Sequence, residues 1–501
     1  REKDYQEHWP WELKDIEASF KSIEAELTLE EAPTTGIVRP SCDRMLEEIG
    51  VKRSSPSSDV SDSAAATNMA DYSESTWTKE GLGGCPMKRT TTRGGKRQSA
   101  WAAFVSPVTS MPNLQVKDDA VVSRVIIEGR RAVGIEVVES SPRQWGGGRG
   151  TRVRQLRLAK EKAEIFVCCG AFRSPKLLML SGVGPREHLE EKGVSVVADT
   201  PHVGENLQDH LLVPTMHASK SPLVDADRNE TGLHGVTYFS CTLPVPDASS
   251  STDSDSVVSK TVEATTSSAP SAVVGVLYSE GGRLPKDLGA NIRLNMTRSG
   301  LLGAVGRAAV MGLCWIAGRI PPIRRALQNS RSMVMALTTI RSTGTVRLAS
   351  GTDASVPPLI DPAYLSHPED RQAVWQGWRM VRRAQNETEA GKAVLGSEMS
   401  PGKKYNYGND DESFLKYARE NCFSFFHPIG TCRMGQGVED SVVSADDLRV
   451  HGVSGLRVAD ASVAPHLPAT PTQAMCMMIG DRAAAIALKD RFAKDQIQVS
   501  D

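Results

Sequence analysis

The sequence predicts an α/β fold in which two separate stretches of chain each carry a strand that leads into a helix. Three observations carry that reading. "EIFVCCG" (164–170) is an apolar run of strand length that ends at glycine and passes at once into "AFRSPKLLMLSGVGP", a helical segment. "GLRVADAS" (455–462) is a second short strand, ending at Asp460, and its loop leads into "TQAMCMMIGDRAAAIALKDRF" (472–492), rich in the strongest helix formers. Between 118 and 140, "AVVSRVIIEGRRAVGIEVVES" is two β-branched runs meeting at Glu128–Arg131, which is a hairpin.

Each element follows from its local chemistry. "HWPWELKDIEASFKSIEAEL" (8–27) places Trp11, Ile16, Phe20 and Ile23 on one helical stripe. "KRSSPSSDVSDSAAATN" (52–68) and "VPDASSSTDSDSVVSKTVEATTSSAP" (245–270) are polar and poor in aromatics, and read as loops. "TRVRQLRL" (151–158) is a further strand. After "EIFVCCG", Ser174 is expected as a helix N-cap with Pro175 at the first helical position, and Gly182 stands where the helix should stop. The stretch 338–385 runs from strands through proline turns into an amphipathic helix.

Composition excludes some functions. With 40% hydrophobic and 24% charged residues and a net charge of −1, the chain has no electrostatic footprint for nucleic acid or an anionic membrane. Its nine cysteines form no metal-binding spacing, so no metal site is expected. They suggest free thiols and a reducing compartment, and the charged opening "REKDYQEHW" has no signal-peptide character. "LLGAVGRAAVMGLCWIAGR" (301–319) is apolar, but Arg307 interrupts it. Its charge-free run is too short to span hydrocarbon, which leaves a lid helix, an apolar substrate entrance or surface docking on a membrane.

The chemistry concentrates in "FFHPIGTCRMG" (425–435). It sets His427 between an aromatic pair and a glycine-punctuated turn. Two strand ends, at Gly170 and Asp460, each lead to a helix N-terminus, where unpaired N–H groups and the helix dipole favour a pyrophosphate or a ring that becomes anionic on reduction. Asp460 could bond ribose or ribityl hydroxyls, or simply cap the turn that follows it. An imidazole next to a redox ring is suited to accept a hydroxyl proton near neutral pH.

Three blocks resemble the glucose–methanol–choline (GMC) oxidoreductases, FAD enzymes that oxidise alcohols. They are "GAFRSPKLLMLSGVGPREHLEEKGVSVVADTPHVGENLQDHL" (170–211), "HPIGTCRMG" with "VVSADDLRVHGVSGLRVADASVAP" (427–465), and, more weakly, 338–385. The hairpin region 113–138 fits the same pattern. The resemblance implies a Rossmann-like FAD-binding domain with an inserted antiparallel-sheet substrate domain, similar to choline dehydrogenase. His427 is implied as the base for the alcohol proton, with hydride passing to flavin N5. It further implies Val122 near the adenine, Gly170 and Ala171 along the nucleotide, Asp460 and Ala461 by the flavin's chain, and Thr472, Gln473 and Ala474 where backbone meets the ring.

Two departures qualify it. The family's second His or Asn falls at Pro471, which has no side-chain donor or acceptor; Thr470, Thr472 or Gln473 would have to substitute. The strand, GxGxxG loop and acidic residue that open the family's FAD domain do not occur, and "DYQEHWPWELKDIEASFKSIE" resembles a segment that normally lies well inside the chain. The sequence is therefore expected to be shortened at its N-terminus. The expected layout is 1–105 as a remnant of the N-terminal FAD and substrate region, 106–215 as the first FAD-binding segment, 216–424 as the substrate domain and 425–501 as the closing FAD segment. The partners implied are a small alcohol and a reoxidant, either oxygen or a carrier. The competing reading is a non-catalytic remnant that keeps the fold as a binding module.

Overall fold

The computed structural model describes residues 2–27, 98–140, 151–160, 162–220, 330–402 and 411–497, together with short strands between them. Of the expected loop 52–68, Lys52–Arg53 are instead a short strand, since they pair with residues 83–84; the rest of it, the expected loop 245–270 and the apolar stretch 301–319 lie outside the described residues. Among the described residues, no helix is long and apolar enough to cross a membrane.

Helix α1 (Glu2–His8) ends before Pro10, and α2 (Leu13–Glu26) begins after it. Proline fixes φ and disfavours helix in the residue before it, so the expected helical stretch 8–27 is helical only from Leu13, while α1 precedes it and overlaps it only at His8. The expected stripe is buried: Trp11, Ile16, Phe20 and Ile23 are all under 10% exposed. It docks α2 on the C-terminal helix, and the rim is closed by Arg482–Asp15 at 3.0 Å. The indole of Trp11 donates to the Ala445 carbonyl at 2.8 Å.

Strands β1 (Ala120–Glu128) and β2 (Arg131–Ser140) form the expected hairpin, with Gly129 and Arg130 at its tip both at positive φ. β3 (Thr151–Arg157) adds antiparallel to β2. β4 (Ile165–Val167) then leads into α3 (Gly170–Leu180). The helix begins five residues earlier than expected. Cys169 is its N-cap residue, so Ser174 and Pro175 lie inside it. Pro175 has no N–H to give the Ala171 carbonyl one turn back. The Thr431 hydroxyl, from the histidine loop, donates to that carbonyl instead at 2.5 Å. This long-range bond lets a proline that reads as a helix start sit in a helix interior. Gly182 ends the segment as expected, at φ +82°.

An eight-stranded sheet follows. Its strands include β5 (Leu211–Ser219), β6 (Gly235–Thr242), β7 (Ser271–Glu280) and β8 (Ser330–Leu337). β5 pairs antiparallel with β8 from Leu211 opposite Leu337 to Ala218 opposite Ser330. β8 pairs with β7, and β7 with β6, also antiparallel. Residues 83–86 and 52–53 extend the β6 edge. Helix α4 (Pro368–Asn386) packs on this sheet through Val374, Trp378 and Val381, spaced for one helical face. β9 (Leu395–Ser400) covers the other edge of β5, and residues 423–424 pair with its start. α5 (Asp411–Asn421) sets Phe414 against Trp378, ring centroids 4.7 Å apart. Finally β10 (Leu456–Val458) pairs parallel with β4, and α6 (Gln473–Ile497) closes the chain. The parallel pair joins the two strands expected to lead into helices, and the broad sheet is antiparallel, as the resemblance implies for the substrate domain.

Candidate functional site

The β4 and β10 strand ends lie side by side because Ile165 to Val167 pair with Leu456 to Val458 in register. That brings Asp460 to the start of α3. Its Oδ2 accepts the Gly170 N–H at 2.9 Å and the Ser174 hydroxyl at 2.5 Å. Its Oδ1 accepts the Ser462 N–H at 2.7 Å, capping the short turn Ala461–Val463. Asp460 therefore caps its own turn, as one of the two readings had it, and also clamps the two strand ends together. Gly170 stands at φ +80° with open space where a Cβ would be.

The histidine loop is bonded to both turns. Gly430 N–H donates to Ala461 O at 3.2 Å and Cys432 N–H to Ser462 O at 2.8 Å, beside the Thr431–Ala171 bond. On its other side the loop runs antiparallel to "GENLQDH". Ile429 and Gln208 exchange backbone bonds at 2.9 and 3.2 Å, and Phe425 N–H donates to His210 O at 2.9 Å. Gly430 has φ +92°, and a Cβ there would lie 2.4 Å from the Asn206 carbonyl oxygen. Gly430→Ala is therefore expected to cost about 1–3 kcal/mol of stability, from the strained φ and the overlap. Urea denaturation checks this, and an unchanged midpoint would refute it.

At the loop's tip Phe426 sits at φ +62° with its ring 62% exposed. A bulky residue rarely adopts that backbone, so its surroundings must enforce it. They do so through Asp209, which is 4% exposed. Asp209 Oδ1 accepts the His427 N–H at 3.0 Å, and Oδ2 accepts the Tyr364 hydroxyl at 2.6 Å and the Ser424 hydroxyl. Ser424 Oγ in turn accepts the Phe426 N–H at 2.8 Å. Burial raises the Asp209 carboxyl above its ordinary range, and the bonds from Ser424, Tyr364 and His427 oppose that rise. Tyr364 is pushed far up, by its burial first and then by the Asp209 charge.

His427 packs its ring on Phe425, centroids 4.6 Å apart, and edge-on to His210 at 5.0 Å and 87°. Its Nδ1 lies 2.9 Å from Nδ1 of His210, and Nε2 of His210 lies 3.1 Å from the Pro468 carbonyl oxygen. Desolvation lowers His427 to about 4; desolvation and then the neighbouring His427 lower His210 to about 3. His217, buried on β5, falls to about 4 through desolvation and then Arg382. All three are neutral in the native protein near pH 7. The unfolded chain, with histidines near 6.5, binds more protons than the native chain between that value and the folded ones. Stability from these groups is thus complete above about pH 6.5 and is lost as pH falls toward about 4. The raised Asp209 opposes this trend only at the acid end. Denaturation midpoints are expected to be lower at pH 5 than at pH 7, and equal midpoints would refute the assignment.

The structure brings together His427, Gly170, Ala171, Asp460 and Ala461, through the bonds above. Thr472, Gln473 and Ala474 open α6, Thr472 buried and its carbonyl accepting the Cys476 N–H at 2.9 Å. Val122 is half-buried on β1, outside that hydrogen-bonded cluster. β1 touches α3 elsewhere, where Val125 N–H donates to Ser181 Oγ at 2.8 Å. Pro471 is exposed, on the same loop as Pro468. His466, the imidazole of that loop, packs against the His8 ring, centroids 4.2 Å apart and planes tilted by 43°. Asp209, His210, Tyr364 and Ser424 were not singled out from sequence; the available signal was the Asp–His pair directly ahead of a strand. Among the described residues, Cys168, Cys169, Cys422, Cys432 and Cys476 are free thiols, and no cluster could hold a metal.

A short parallel strand pair clamped at its ends stands beside the histidine loop and a broad antiparallel sheet; its family and its structural neighbours give this chain the Rossmann-like FAD-binding fold with a substrate domain. The GMC oxidoreductase family profiles match residues 9–212 and 341–480, over half of the sequence, and the chain belongs to that family. The oxygen-dependent choline dehydrogenase of Sinorhizobium medicae is 32% identical over 414 residues, 81% of this chain and 63% of that protein. Choline oxidase of Arthrobacter globiformis is 30% identical over 78% of this chain and 58% of its own length. The chain thus spans less than two thirds of these relatives. Pyridoxine 4-oxidase from Mesorbium loti shares the fold, with a TM-score of 0.61 and 24% identity over 92% of this chain and 71% of that one.

Proposed function

We propose that the chain serves an FAD-dependent oxidation of a small alcohol, with His427 as the base that takes the hydroxyl proton. The observation that carries this is the hydrogen-bonded unit joining the His427 loop to both strand-end turns. A neutral imidazole is thereby fixed relative to the two strand-end turns. The residues present suit part of FAD. The open space over Gly170 at the N-terminus of α3 admits a close backbone approach, and the start of α6 offers a second helix N-terminus. FAD, when bound, supplies the acceptor for the substrate's hydride.

The protein's share is position and proton handling. Asp209 holds the His427 backbone, and the Phe425 ring walls the imidazole from water. Excluding water keeps the base unprotonated at neutral pH, ready to accept. The relatives named for choline, choline dehydrogenase and choline oxidase, make choline the first alcohol to try.

These 501 residues contain no GxGxxG strand–helix unit to cradle the pyrophosphate, so they are expected to retain FAD only weakly by themselves. A stoichiometric flavin spectrum after purification would refute that. With FAD in excess, anaerobic choline or a primary alcohol is expected to bleach the bound flavin. Flavin that is bound and reducible by dithionite, but untouched by every alcohol of such a panel, would overturn the proposed reaction.

A further inference from the structure

We propose that His210 is a positioning residue that holds His427 in its Nδ1–H form, leaving Nε2 of His427 as the lone pair that meets the substrate hydroxyl. The role in catalysis rests on His427 being the base; the tautomer itself does not.

A chain of forced choices leads to it. The Pro468 carbonyl oxygen can only accept, so Nε2 of His210, 3.1 Å away, carries the proton. His210 is fully buried, and among the described residues no carboxylate is bonded to either imidazole. The nearest acid along the chain, Asp209, is committed to Tyr364, Ser424 and the His427 backbone. The groups facing the His210 ring are His427, Phe425 and the backbone carbonyls of Pro468 and Thr338. A neutral His210 with its proton on Nε2 has a bare Nδ1. That atom is 2.9 Å from Nδ1 of His427, so His427 donates there. A neutral imidazole that carries its proton on Nδ1 is bare at Nε2.

Free imidazole side chains prefer the opposite form, with the proton on Nε2, which would present the substrate with a donor. The two histidines lie 217 residues apart in sequence, and the Pro468 carbonyl, by holding the His210 proton on Nε2, reverses that preference in His427. When Nε2 of His427 takes a proton, its Nδ1–H bond to His210 persists and becomes charge-assisted, so neither ring must turn.

Long-range proton–nitrogen spectra of the full chain, labelled with ¹⁵N histidine, test this at pH 7 without flavin; His427→Gln assigns the signals. The wild type is expected to show Nδ1 of His427 protonated, its Nε2 in the range of a bare nitrogen, and a scalar coupling between the two Nδ1 atoms across the bond. His210→Phe keeps a ring but offers no acceptor, and should shift His427 to the Nε2–H form. His210→Asn can accept from His427 through its oxygen and donate to Pro468 through its nitrogen, and should restore the Nδ1–H form. A protonated Nε2 in the wild type, or an unchanged Nδ1–H form in His210→Phe, overturns the proposal. Should the phenylalanine variant fail to fold, the wild-type coupling and the asparagine variant decide. A correct tautomer alongside no bleaching by alcohols would instead refute the proposed reaction.

Discussion

Replacing His427 with alanine is expected to slow flavin reduction by an alcohol about 10²–10⁴-fold in FAD-loaded protein, the usual worth of a positioned base. The substitution removes the one imidazole whose loop is bonded to both strand ends. It leaves the Asp209 bond to the backbone N–H of residue 427 in place, so the loop should keep its path. Flavin content should change little, because the side chain packs on Phe425 and His210 and takes no part in the Gly170–Asp460 clamp. Desolvation holds His427 near 4, so its protonation does not limit the parent enzyme near neutrality. The parent's rate should be flat in this group from about pH 6 to 8. His466→Ala is the control, since that ring packs against His8. Stopped-flow reduction of both variants decides the matter. A His427→Ala rate within a few-fold of the parent, or a larger loss in His466→Ala, would move the base to the other imidazole.

The sequence was informative wherever structure follows local chemistry. The stripe Trp11, Ile16, Phe20 and Ile23 is buried because helical spacing alone sets which side chains share a face. Gly182 terminates α3 because its φ of +82° suits glycine and little else. The start of α3 was misplaced for the opposite reason. Pro175 is tolerated in the helix because the Ala171 carbonyl is bonded by a hydroxyl 260 residues away from it in another loop, and no local rule anticipates that. The candidate site divides the same way. His427, Gly170 and Asp460 stand at a loop and two strand ends that pattern and resemblance could place. Asp209 and His210 were visible only as letters in "NLQDH". Their partners, Tyr364, Ser424, His427 and Pro468, come from segments 155 to 258 residues away in the chain.

Asp209→Ala should be among the most destabilising single changes in the described residues, at about 2–4 kcal/mol. The carboxylate is 4% exposed and accepts from the Tyr364 hydroxyl, the Ser424 hydroxyl and the His427 N–H. Alanine leaves these donors facing a cavity, and each buried donor without a partner costs about 1–3 kcal/mol. Two effects reduce the sum. Removing a buried carboxylate relieves its own desolvation, the same effect that raises its pKa. The Ser424 hydroxyl lies partly open and can turn toward water. What remains falls mostly on Tyr364 and the His427 backbone, hence the range given. Asp209→Asn separates hydrogen bonding from charge. Its amide oxygen can take over one side of the carboxylate, while its NH₂ must face a donor on the other, so an intermediate loss is expected. Phe426 supplies a local reading, since its φ of +62° depends on the Ser424 bond that Asp209 anchors. Losing that anchor should release the loop, so limited proteolysis should cut near 424–427 in Asp209→Ala and not in the parent. Urea denaturation gives the free energies. An alanine variant within about 0.5 kcal/mol of the parent, the range of an ordinary surface change, would show that Asp209 does not anchor this loop.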